Sequence, residues 1–403
     1  MLTKLILADF KRTWAASLLL VVLIALATGF SVFVHLEERA LRLGSARAAE
    51  AFDLLIGATG SETQLVLSTV YLQSAPLPLL DGKHFGEVAK HPLTEWAAPV
   101  ALGDSGFDSP IVGTTPTLVT RNGTRTLAQG RMFEHTQEAV IGAGVPLKIG
   151  DSFAPLHGQA GAFDTHAHES IRYTVVGVLP PENNAWNRAI FVPVEAVWEA
   201  HHLDAHDEDD DDGRAHPANE ASEALPVSAI VVKPKSVAGA YQLRDLYRKG
   251  QTLAVFPAEV LTKMYATLGD VRALLGKISL AAEALAALIL MAGAVIHLRF
   301  HARQIAALRA FGASAHTIFF LFWLELSLLA ALGMALGIGS GFLGALLVAQ
   351  QISAQQGFHL PVAFEWEDWK LLLFLPLASI ALLLPASLGY RYSVARYMRD
   401  SVS

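Results

Sequence analysis

Four long apolar runs divide the chain: Trp14–Val34, Ile278–Leu298, Thr317–Ala349 and Leu371–Tyr390. Each is long enough to cross about 30 Å of hydrocarbon at about 1.5 Å per helical residue. Helical periodicity extends beyond the first two runs, into the long polar interval that separates them. His35–Ala51 continues the first run as a charged, alanine-rich stalk. Val260, Met264, Leu268, Val271, Leu275 and Ile278 keep i+3/i+4 spacing into the second run. Ahead of the first run, Leu2, Leu5, Ile6 and Phe10 share one face, away from Lys4, Lys11 and Arg12. That pattern suits a helix in the membrane interface, or simply a basic topogenic head. Between the second and third runs, Ile305, Leu308 and Phe311 recur at i, i+3, i+6 within Arg303–Ser314, and Gly312 sits where a helix stops. This segment is too short and too charged to span a bilayer. It is expected at a membrane surface, with Arg303 and Arg309 available to another protein.

The interval 52–257 changes pattern. Short runs rich in valine and isoleucine, bounded by Gly or Pro, predict strands at Thr117–Thr120, Ala139–Ile141, Tyr173–Leu179, Ala189–Val192, Ser228–Val232 and Thr252–Phe256. Leu147–Asp151 reads as a strand end and turn. The expected fold is therefore an α-helical membrane protein of four transmembrane helices, with a large mixed α/β extracytoplasmic domain inserted between helices 1 and 2. The expected boundaries are 1–35 for the amphipathic segment and first span, and 36–270 for stalks and domain. They continue with 271–300 for the second span, 301–314 for the surface helix and 315–350 for the third span. An outer loop follows at 351–370, then the fourth span and tail at 371–403.

Composition agrees. The chain is 53% hydrophobic and 17% charged, too apolar for an ordinary soluble protein of 403 residues. Basic residues sit before the first run (Lys4, Lys11, Arg12), between the second and third (Arg299, Arg303, Arg309) and after the fourth (Arg391, Arg396, Arg399). Positive charge marks the cytoplasmic side, so both termini are expected there. The net charge of −7 then concentrates outside, which argues against nucleic-acid binding. With no cysteine, disulfides, thiolate metal sites and a cysteine nucleophile are excluded.

Two further features concern the spans. Gly333, Gly337 and Gly341 recur at steps of four in the third run, spacing that lets helix backbones approach in lipid. They can pack a helix of the same chain or a second subunit. Glu283 and Glu325 fall inside apolar runs, where an ionised carboxylate costs about 2.5–3.5 kcal/mol at mid-bilayer. An interhelical hydrogen bond explains them more simply than a proton relay.

Enzymatic motifs fail one by one. Gly276-Lys277-Ile278-Ser279 lacks the first glycine and the Ser/Thr after lysine of a phosphate loop. His168-Glu169-Ser170-Ile171-Arg172 lacks the final histidine of a zinc protease. Gly337-Ile338-Gly339-Ser340-Gly341 has its serine one place late for a nucleophile elbow. The chain is not expected to be an enzyme.

The stretch Arg303-Gln304-Ile305-Ala306-Ala307-Leu308-Arg309-Ala310-Phe311-Gly312-Ala313-Ser314 resembles the coupling helix of ABC-transporter permeases of the FtsX/MacB/LolE type. The succession Val140-Ile141-Gly142, Lys148-Ile149-Gly150-Asp151, Tyr173–Leu179 resembles the MacB-type periplasmic domain, and Phe52–Ala58 resembles its first strand. The resemblance implies a permease subunit in the bacterial inner membrane that binds no cofactor itself. A cytoplasmic ATPase carrying ATP and Mg would dock on Arg303, Ile305, Leu308, Arg309, Phe311 and Gly312. A second permease copy or paralogue, and a periplasmic fusion protein or lipoprotein, would complete the assembly. The work would be mechanotransmission, serving export of lipoprotein, peptide or drug. Alternatives are a membrane regulator of an outer hydrolase and a zinc-linked transport or sensing protein.

The zinc alternative comes from histidine. His157, His166 and His168 share one Gly-rich stretch. His201, His202, His206 and His216 flank the acidic run Asp207–Asp212. Without cysteine a Zn²⁺ site would use imidazole and carboxylate, with His157, His166 and His168 as candidate ligands. The plain alternative is a pair of solvated loops, since a run of like charge cannot pack.

Overall fold

A single helix, α1 (Trp14–Ala49), carries the first apolar run and the stalk beyond it without interruption. The computed structural model describes residues 14–73, 75–157, 166–167, 171–200, 225–267, 269–300, 311–368 and 380. Its described residues fall into two compact units. One takes them from Met1–Leu41, Gly269–Gln350 and Pro361–Ser403, the other from Arg42–Leu268 and Gln351–Leu360.

The first unit is helical. Among the described residues two helices are long and apolar enough to cross a membrane, Ser17–Ala49 and His316–Gln356. They carry the first and third of the four expected spans. The second expected span lies on α8 (Gly269–Phe300), a continuous helix of 32 residues. The expected stalk before it forms α7 (Pro257–Thr267), and Leu268 between the two is outside the described residues. The fourth expected span, like Met1–Thr13, also lies outside them, apart from Ile380. The third long helix is α9 (Ala315–Gln356).

The second unit is built on one long strand, β2 (Thr94–Gly106). Its first half pairs antiparallel with β11 (Ala229–Pro234), which pairs with β1 (Leu54–Ala58), which pairs with β12 (Thr252–Val255). Its second half pairs antiparallel with β3 (Ser109–Thr114). From β3 the sheet runs through β10 (Ile190–Pro193, parallel), β5 (Glu138–Ile141, antiparallel), β9 (Tyr173–Val178, parallel) and the short β4 (Gln129–Gly130). The two-residue β6 (Ser152–Phe153) also pairs with β9. β2 and β3 join through Phe107-Asp108, both at positive φ (50° and 55°), the backbone a two-residue hairpin needs.

β1 is apolar along its length because it is a central strand. Against it lies α2 (Glu62–Val70), whose N-terminus is capped by Ser61 Oγ accepting from the Gln64 N–H at 3.3 Å. The contact is close: a Cβ on Gly57 would lie 2.7 Å from Leu65 Cδ1, which would have to move. Three more helices contribute to the core, among their side chains Phe85 from α3 (Lys83–Ala89), Trp198 from α5 (Val194–Ala200) and Leu243 from α6 (Val237–Leu246). Each such side chain contributes about 1.5–3 kcal/mol by burial. Trp198 meets its polar requirement by donating from Nε1 to the Pro226 carbonyl at 2.9 Å.

Two expectations change. Thr117–Thr120 is not a strand: Pro116–Val119 is a helical turn, α4, with proline at its start. Proline fixes φ near the helical value and loses nothing at that position. Leu147–Ile149 is not a strand either, although the turn at Gly150 (φ +91°) is present.

Candidate functional site

The surface segment between α8 and α9 is described only at its end. Arg303, Ile305, Leu308 and Arg309 lie outside the described residues. Phe311 is 91% exposed, and Gly312 takes φ +91°, a left-handed conformation glycine adopts freely. Two residues on, Ser314 starts α9: its Oγ accepts from the Thr317 N–H at 3.2 Å and meets the Thr317 hydroxyl at 2.8 Å. A glycine turn and the start of α9 thus fall within Phe311–Ser314, with the Phe311 ring exposed.

The glycine face of α9 packs on α1. A Cβ on Gly333 would fall 2.9 Å from Ile24 Cβ. On Gly337 it would fall 2.7 Å from the Ala25 carbonyl oxygen, and on Gly341 2.5 Å from that of Gly29. Gly29 answers from α1, its own Cβ position lying 3.1 Å from the Gly337 carbonyl oxygen. Of the two alternatives open in the sequence, a partner helix in the same chain is therefore the one seen. Glu325, on the same helix, is fully buried.

Farther along α1, Arg39 is buried with Asp368, donating from Nη2 to Oδ2 at 2.6 Å. The same nitrogen reaches the Ala363 carbonyl at 3.2 Å, Nη1 lies 3.4 Å from Glu365, and His35 Nε2 lies 3.1 Å from Asp368 Oδ1. A buried arginine pairs well with carboxylate because its planar fork matches the two oxygens. Nothing in the sequence singled out Arg39 or Asp368, since their partnership spans 329 positions.

In the second unit β7 (Leu156–His157) and β8 (His166–Ala167) form a short ladder on β2. The register places Asp104 opposite His157, and His157 opposite His166. His168 and His201–His216 lie outside the described residues, and no group of three metal-binding side chains occurs among those described.

Apolar helices of membrane length, with a mixed α/β domain inserted in sequence after the first of them, make up a membrane protein carrying an inserted domain. Residues 13–246 match the MacB-like periplasmic core domain and residues 277–397 the FtsX-like permease C-terminal domain. The chain therefore belongs to the FtsX/MacB family of membrane permeases. No curated protein matches it.

Proposed function

We propose that the chain is the membrane subunit of an ABC transporter and works by mechanotransmission across the inner membrane. It would cross the membrane four times with both termini cytoplasmic, and pair with a second copy or a paralogue. A cytoplasmic ATPase docks on Arg303–Gly312. Its closure on ATP moves that segment, and the long helices pass the motion to the inserted domain, which handles lipoprotein, peptide or drug outside the membrane. The observation that carries this reading is Phe311, an aromatic ring 91% exposed at the corner between α8 and α9. Clefts that accept helices do so through spaced apolar anchors, and Leu308 and Phe311 are so spaced. Leu308→Asp should abolish co-purification with the ATPase and leave membrane insertion intact. Wild-type association in that variant would refute the docking assignment.

A further inference from the structure

α9 does not end in a free loop. Its last turn, Gln351–Gln356, belongs with the inserted domain. The final carbonyls of a helix have no partner within it and carry the negative end of its dipole. Arg188, at the end of the turn Ala185–Arg188, supplies what is missing. Its Nη1 donates to the carbonyls of Ala354 (3.0 Å) and Gln355, and its Nη2 reaches the Asp108 carbonyl in the β2–β3 hairpin at 3.3 Å.

The chain leaving the helix is gripped as well. Gly357 turns at φ +77°, where an added Cβ would lie 3.2 Å from the Ala185 carbonyl oxygen and from Arg188 Cγ. Asn183 Oδ1 accepts from the His359 N–H, and Ser353 Oγ from the Leu360 N–H at 3.0 Å. Phe358 meets Tyr71 edge-on, with ring centroids 5.9 Å apart. The Tyr71 hydroxyl donates to the Ser45 carbonyl at 2.8 Å, and Ser45 Oγ lies 2.6 Å from the Tyr265 hydroxyl. Ser45 is in the last turns of α1 and Tyr265 in those of α7. Three helix ends are thus linked within the inserted domain, two through Tyr71 and the third through Ser45.

We propose that α9 is a third mechanical connection into the inserted domain, alongside α1 and α7, and that Arg188 is the positioning residue that couples it. The proposal rests on the permease reading above. It differs from a relay through the two stalks alone, because the segment that follows the ATPase docking site is then tied directly to the domain. α9 runs without a break from Ala315 to Arg188's acceptors. A displacement at its N-terminal corner reaches the domain without passing through α8.

The test is hydrogen exchange on the full permease reconstituted with its ATPase in lipid nanodiscs, with and without a non-hydrolysable ATP analogue. In the absence of nucleotide, Arg188→Ala should speed exchange of the Gly357 and Leu360 amides about tenfold, the loss of a charge-assisted hydrogen bond. Arg188→Lys, which keeps the charge, should give a smaller rise. With nucleotide, the wild type should show changed protection in β10 and at Gly357–Leu360. Arg188→Ala should lose that response while ATPase binding and β1 protection stay as in wild type. Tyr71→Phe, which removes only the Ser45 link, should halve the response without unfolding the domain. A full wild-type response in both variants overturns the third connection. A wild type that binds no ATPase overturns the permease reading instead.

Discussion

The two ends of α9 are held in opposite ways. At the N-terminal end the helix is capped by its own Ser314, and the residue before the corner, Phe311, touches almost nothing. At the C-terminal end a guanidinium, an asparagine, a glycine turn and an aromatic pair fix the last turn and the four residues beyond it. Between them the helix lies on α1 through glycines, because apolar side chains gain little by association where the solvent is equally apolar. One end leaves an aromatic ring exposed, and the other is tied by hydrogen bonds to the inserted domain. The contrast teaches that polarity, not burial, marks where this helix is committed.

The largest effect is expected where the chain after α9 returns to α1. Arg39→Ala leaves Asp368 buried without its cation, which costs about 3–5 kcal/mol in buried pairs. Thermal unfolding of the solubilised permease should fall sharply. An unchanged midpoint would mean that the C-terminal side of α9 is no better anchored than its N-terminal side. Next comes the middle of the helix. Gly337→Leu drives a side chain into the Ala25 carbonyl, the Thr28 side chain and the Gly29 backbone, for about 1–3 kcal/mol of overpacking. Gly339→Leu, with nothing within 4 Å of its Cβ position, is the control and should unfold like wild type. Equal losses in the two variants would remove α1 as the partner of that face.

Smaller still is the cap. Ser314→Ala should cost about 1 kcal/mol, seen as faster exchange in the first turn of α9 alone. Spread of that exchange to the C-terminal turn would erase the distinction between the ends. The smallest effect lies in the inserted domain. Arg131 donates to Glu138 at 2.7 Å and holds its carboxyl below the usual range, against some opposing burial. A lowered folded pKa stabilises above the unfolded value of about 4.3 and is lost as pH falls through the folded value. Arg131→Ala should therefore lower stability slightly at neutral pH and not at all in strong acid. A difference that persists in acid would assign the effect to packing.

The sequence disclosed whatever repeats along it. The 36 residues of α1 are legible as an apolar run passing into a stalk, and Tyr173–Val178 as a valine-rich run closed by proline. β2 was not legible. Pro99 lies in its middle and Gly103-Asp104-Ser105 near its end, residues that normally exclude a central strand. Pro99 is tolerated because it faces the β3 side, where the ladder begins only at Ala101 and no N–H is called for; its carbonyl accepts from Thr114 Oγ1 at 2.6 Å. Arg39–Asp368 and Arg188–Ala354 were invisible for another reason: each joins positions more than 160 apart, and single charges carry no period. Gly333, Gly337 and Gly341 announced a packing face, but Gly29, which meets two of them, has no glycine one turn away in α1 and announced nothing.

The central claim is that the corner before α9 meets an ATPase, and the chain's lack of cysteine makes a direct measurement available. Phe311→Cys introduces a single thiol at an exposed position. A thiol-to-amine cross-linker applied to native membranes, with the adduct identified by mass spectrometry, reads the neighbour of that residue. The account predicts one dominant adduct, a protein carrying a phosphate-binding loop, formed less when Leu308→Asp is added. A Phe311→Cys variant whose new thiol reacts freely with a soluble maleimide yet yields no such adduct would contradict it.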